Sequence, residues 1–165
     1  MLSECQQYLA VDADIDELER FPVEPKGPMA MALEEAKLAL GRQVIKFQLK
    51  QPNFVSHVFA SAERLKNLLK GILLVLCKDA AENSNILIRM TETDDVVAFD
   101  FSNMGFGIPN ELLQEYIFGD TPVGSPELQT VQAGARWIES WGGMMEAFSG
   151  VGVGMHFTVH LVKFI

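Results

Sequence analysis

The residues best suited to proton transfer, metal binding or phosphate acceptance are three histidines, His57, His156 and His160. His156 and His160 share one face of a strand-like run. Neither has a cysteine or carboxylate at metal-ligand spacing, so ordinary strand positions account for both. His57 follows Ser56 and lies among Val55, Val58 and Phe59. A phosphoacceptor belongs exposed on a helix, and this run reads as strand. Asp12, Asp14 and Asp16 have the alternate spacing of a calcium loop, but that loop would need Gly and Glu where the chain has Glu17 and Val23. Cys5 and Cys77 are too few for a disulfide framework, which makes a reducing compartment the default. No G-x-S-x-G or G-x-x-x-x-G-K-[ST] occurs. Gly150, Gly152 and Gly154 could cradle a phosphate, but they join two strand-like runs rather than a strand and a helix, so they read as a hairpin. No catalytic constellation and no metal site emerges.

The chain that must position these residues has 165 of them, 48% hydrophobic and 21% charged, which suits one globular domain with a core of its own. Thirteen Lys and Arg against 22 Asp and Glu give a net charge of −9. That balance argues against a general nucleic-acid binder. The first residues lack the basic start and apolar run of a signal peptide. The longest apolar stretch, residues 72–77, is far short of the roughly 20 residues a membrane span needs. A soluble, cytoplasmic domain without direct membrane insertion is expected. Met1 as a true start and Met1 as an internal cut both stay open.

Residues 1–20 read as a short acidic amphipathic helix, and residues 21–28, with Pro22, Pro25 and Pro28, as a linker or extended arm. Met29, Leu33, Ala36 and Leu40 keep helical spacing, with Gly41 as a stop. Residues 43–49 and 54–59 alternate like strands. Ser61 caps a helix through residue 76 whose apolar face holds Leu65, Leu68, Leu69, Ile72, Leu73 and Leu76. Residues 86–90 and 96–101 form a strand hairpin. A glycine-containing loop over 102–109, a short helix over 110–118, a loop, a helix over 127–141 and two strands over 144–148 and 156–161 complete the chain. Trp137 and Trp141, at i and i+4, read as a core stripe, with an exposed partner anchor as the alternative. The fold class is α+β, a two-layer sandwich with helices on one face of a mixed sheet.

RLKNLLKGILLVLCK at residues 64–78, a strand hairpin, FDFSNMGFGIP at 99–109, a helix ending in WGG, the turn GVGVG and the closing strand HFTVHL follow one another in order. Together they resemble the ATPase domain of sensor histidine kinases, the GHKL superfamily, over about residues 29–161. The resemblance implies the Bergerat-type sandwich over residues 29–165, with 1–28 as an appended helix and linker. It also implies a Mg²⁺–ATP pocket. A helical Asn would ligate the metal, an Asp in D-x-G-x-G would accept from the adenine amino group, and a glycine-rich box would wrap the phosphates.

Carried over residue by residue, the helix's asparagine positions fall on Gly71 and Val75, and Val75 has no lone pair for Mg²⁺. Lys78 matches the family's basic residue. Asn103 replaces the adenine-binding Asp, with Gly105 and Gly107 in place. The glycine-rich box falls near Pro126, Leu128 and Thr130, none of them glycine, and the lid over residues 119–127 is short. The expectation is a vestigial nucleotide pocket at Val75, Lys78, Asn103, Gly105 and Gly107, with no catalytic residue and no cofactor. Val75, Leu74, Phe106, Ile108, Leu112 and Phe118 would turn it into an apolar groove.

The implied role is that of a non-catalytic module of bacterial two-component signalling, acting on a response regulator or a histidine-kinase partner through protein contacts. It could be the C-terminal part of a phosphotransferase or sensor, with a homodimer through the opening helix as one arrangement. The alternative is a working sensor-kinase or anti-sigma-factor kinase domain that binds ATP and Mg²⁺ through atypical residues.

Overall fold

The computed structural model describes residues 21–41, 43–122 and 124–164. The acidic helix expected over 1–20, and the dimer contact attached to it, lie outside them. The chain runs β1 (Phe21–Val23), α1 (Lys26–Leu40), β2 (Lys46–Lys50), β3 (Val58–Ala60), α2 (Ala62–Asp79), β4 (Asn85–Glu92), β5 (Val96–Ser102), α3 (Asn110–Phe118), α4 (Pro126–Ser140), β6 (Met144–Gly150) and β7 (Gly154–Val162).

Strand periodicity builds the main sheet. Ile86, Ile88 and Met90 of β4, Val97, Phe99 and Phe101 of β5, and Met155, Phe157, Val159 and Leu161 of β7 are buried on one face. Their alternates, such as Arg89, Asp100 and His156, stand on the other. The order is β2-β4-β5-β7-β6. β2 pairs with β4 in parallel, and the other pairings are antiparallel. The helices cover the apolar face, with α2 innermost: Leu65, Leu68, Leu69, Ile72, Leu73 and Leu76 are all fully buried. The expected α+β sandwich, with helices over a mixed sheet, is the observed fold.

Local chemistry sets the helix ends. Ser61 caps α2 by accepting from Arg64 N–H at 3.3 Å. At α1 the N-cap is Pro25, and the carboxylate of Glu24 before it accepts from Lys26 N–H at 3.1 Å and Gly27 N–H at 3.2 Å. Pro28 is then tolerated inside the helix, because first-turn amides have no intrahelical acceptor. The arm expected over 21–28 is therefore extended only through Val23, and β1 pairs antiparallel with β3.

The strand expected over 54–59 is shorter and belongs to this second sheet. Its first residues are held by side chains instead of a ladder, with Ser56 N–H and Oγ both donating to the Glu92 carboxylate at 2.7 and 2.9 Å. His57, exposed, lies before β3 rather than within it. Trp141 is 2% exposed and completes the core, while Trp137 is partly buried with the Arg64 guanidinium 5.3 Å from its ring centroid. The core-stripe reading of the pair matches this packing.

Candidate functional site

The five residues assigned to a nucleotide pocket sit at the C-terminal end of α2 and on the loop after β5. Asn103, Gly105 and Gly107 are brought together, and a sixth residue, Asp79, joins them. Asp79 Oδ1 accepts from Gly107 N–H at 2.8 Å, Oδ2 accepts from the Asn103 amide at 3.1 Å, and the Asp79 carbonyl accepts from Phe106 N–H at 3.1 Å. Asn103 Nδ2 also donates to Leu76 O at 2.8 Å, and its Oδ1 accepts from Met155 N–H at 2.8 Å. Both ends of the Asn103 carboxamide are thus used inside the fold.

The two glycines of this loop have packing reasons to be there. A Cβ on Gly105 would collide with the Asp79 carbonyl and carboxylate, and one on Gly107, at φ +68°, with Gly150 O. The loop is pinned to the β6–β7 turn by Gly152 N–H to Phe106 O at 2.7 Å and Gly105 N–H to Val153 O at 3.3 Å.

Val75 is 5% exposed and faces the core. At Gly71, the other asparagine position, a methyl would lie 3.2 Å from Thr130 Cγ2 and 3.3 Å from Val131 Cγ2, so α4 packs directly on α2. Gly134 makes the same close approach to Leu68. Lys78 bridges the same two helices through Glu127 at 2.9 Å, and that hydrogen bond holds the Glu127 carboxyl below its ordinary pKa.

The first turn of α4 has few amides left for a phosphate. Pro126 has none, and Leu128 and Gln129 N–H go to Ser125 Oγ and O at 3.3 and 3.0 Å. Residues 119–125 form the whole link from α3 to α4. Gln132, 3% exposed, holds this link down through Gly119 O at 2.7 Å and Thr121 O at 3.1 Å.

The residues present do not fit a Mg²⁺–ATP complex held as the resemblance implies. The metal position offers a buried valine, the adenine acceptor is a neutral carboxamide oxygen already shared with Met155 N–H, and the phosphate position presents the Glu127 carboxylate. Nor do the expected groove residues share one groove. Leu74 lines a cavity of about 350 Å³ between α2 and α4, Phe118 lines another of about 590 Å³ beside β6, and Phe106 is 70% exposed. Lys78 borders a third cavity with Cys77 and residues 43–45. Among the described residues no group of histidine, cysteine and carboxylate side chains could hold a metal ion. His156 and His160 pair instead with Asp100 at 3.3 Å and Glu146 at 3.1 Å on the open sheet face.

Sequence reasoning missed Asp79. A signal was available: an acid in the last turn of a helix opposes the helix dipole and so calls for a tertiary partner. Ser149 was also missed. It is 2% exposed, its Oγ accepts from Ile108 N–H at 2.8 Å, and its N–H donates to the Asn110 side chain at 3.1 Å.

No family model and no curated protein matches the chain. Solved structures do. The chain is similar to a mycobacterial sensor histidine kinase, MprB, at TM-score 0.70 and 17% identity, covering 87% of this chain and 97% of that one. It is similar to the catalytic domain of histidine kinase ThkA, in a nucleotide-free form, at TM-score 0.74 and 19% identity, covering 88% and 96%. A second nucleotide-free form of that domain gives 0.73 and 18%, covering 88% and 97%. Identities this low speak for the fold, and the fold of this chain is that of histidine-kinase catalytic (GHKL) domains.

Proposed function

We propose that the chain uses the histidine-kinase ATPase fold without its nucleotide chemistry. It works in bacterial two-component signalling through contacts with a response regulator or a histidine-kinase partner in the cytoplasm. The observation that carries this reading is the Asn103 carboxamide. Its acceptor oxygen meets Met155 N–H, and its amide meets Leu76 O and Asp79. An adenine amino group could use only the second lone pair of that oxygen, in a position crowded by Gly154 and without the charge of the aspartate it replaces. The packed α2–α4 contact and the Lys78–Glu127 bridge support the same reading at the phosphate end.

A contact role is supported by what the same loop displays. Met104 and Phe106 on it are 73% and 70% exposed, and Val151 and Val153 on the adjoining turn are 69% exposed each. The backbone hydrogen bonds between loop and turn hold these four apolar side chains on one rigid platform. No helix among the described residues is long and apolar enough to cross a membrane.

The test is calorimetric and thermal titration of the full chain with ATP and ADP, with and without Mg²⁺. Ligand binding adds RT ln(1 + [L]/Kd), so a micromolar site at millimolar nucleotide would add about 4 kcal/mol. The reading predicts no Mg²⁺-dependent shift. A saturable one would make the chain a nucleotide-binding domain.

A further inference from the structure

Among the described residues β2 is the outer strand of the main sheet and pairs with β4 alone. Its sequence, KFQLK, puts Lys46, Gln48 and Lys50 on the open face, while Phe47 and Leu49 pack against the core side. Arg89 stands beside Lys50 in the parallel register. Asp100, which the antiparallel register sets across from Arg89, turns away to Thr158 at 2.8 Å and His156 at 3.3 Å. Among the described residues none of Lys46, Lys50 and Arg89 is paired with a carboxylate. A chain of net charge −9 therefore keeps three uncompensated cations at one sheet edge.

Lysines on an edge strand also serve to prevent edge-to-edge aggregation. That purpose is poorly served by exposed apolar neighbours, and this edge has them. Val44 just before β2 is 64% exposed, and Phe54 just after it is 92%.

We propose that the free edge of β2 takes an extended segment of a partner protein as a sixth strand, and that this segment alternates acidic and apolar residues. Paired strands share their faces. The partner's acids then lie beside Lys46 and Lys50, within reach of Arg89, and its apolar residues extend the layer of Phe47 and Leu49. Main-chain hydrogen bonds supply affinity and the cations choose the sequence. The free edge of β2 lies across β4 from β5 and uses none of the residues around Asn103, so the proposal holds whether or not nucleotide binds.

The probe is a labelled eight-residue peptide of alternating Asp and Val, titrated into the full chain by fluorescence anisotropy. A Lys/Val peptide is the control, and amide hydrogen exchange locates the contact. The expected result is saturable binding of the acidic peptide alone, with new protection in residues 46–50. Binding should weaken by about tenfold or more in K46E/K50E, and by less in K50E alone; circular dichroism checks that both variants fold. Equal binding of the two peptides, protection elsewhere, or no binding would overturn the proposal. So would residues 46–50 already protected on their free side in the chain alone, which would give the edge to the chain's own acidic segment at Asp12, Asp14 and Asp16.

Discussion

The carboxylate of Asp79 and the carboxamide of Asn103 meet at 3.1 Å, one from the last turn of α2 and the other from the loop after β5. The pair joins the helix layer to the sheet layer where the histidine-kinase fold would place the adenine. Asp79 fixes Gly107 N–H, and Asn103 fixes Met155 N–H at the start of β7. Together the two side chains close this end of the sandwich.

Asp79→Ala removes two acceptor atoms and strands Gly107 N–H and one N–H of the Asn103 amide, whose other stays on Leu76 O. It should cost about 2–4 kcal/mol in urea unfolding. Asn103→Asp, which restores the acid implied by the family resemblance, puts two carboxylates together and loses a donor. It should destabilise by about 1–3 kcal/mol without creating ATP affinity. The exchanged pair D79N/N103D should regain part of that loss. Additive effects would contradict the coupling.

Glycine substitutions separate backbone strain from collision. Gly152, at φ +77°, has open space around its α-carbon, whereas Gly107, at φ +68°, abuts Gly150 O. Gly152→Ala should cost about 1 kcal/mol, the left-handed penalty alone. Gly107→Ala should cost clearly more and shift the amide resonances of Gly150 and Val151.

Much of this architecture is legible in the sequence, and the failures have physical causes. The short helix over 110–118, the β4–β5 and β6–β7 hairpins and the Ser61 cap are local, set by periodicity, glycine turns and a capping side chain. β1 is three residues with a proline, and only its pairing with distant β3 makes it a strand. Residues 54–57 have strand composition, but Ser56 bonds to Glu92 across the fold. At the site, the departures at Val75 and Asn103 are visible residue by residue. What Asn103 does instead depends on Asp79 and Met155, 24 and 52 positions away.

The Glu92 carboxyl is held down to about 2 from 4.5, first by Ser56 N–H, then by Lys163 and the Ser56 hydroxyl. Its folded value lies below its unfolded one. Its contribution is therefore complete above the ordinary carboxylate range and is lost as pH falls from about 4.5 toward about 2. Glu92→Gln should flatten the fall of the urea midpoint over that window. An unchanged profile would contradict the assignment.

Burial in α2 pushes the Cys77 thiol up to about 12, which makes it unreactive at neutral pH. In a Cys5→Ser chain, a thiol reagent should leave Cys77 unmodified until denaturant opens the core. Prompt labelling of the native chain would contradict the packing of Cys77 in α2.

The most direct test of the account is a nitrogen–proton correlation spectrum of the full chain titrated with Mg²⁺–ATP, following the Asn103 side-chain amide and the backbone amides of Gly105, Gly107 and Met155. The account predicts that all four stay in place at millimolar nucleotide, because their partners lie within the fold. Saturable shifts centred on Asn103 and Met155 would show the acceptor yielding to adenine and would contradict it.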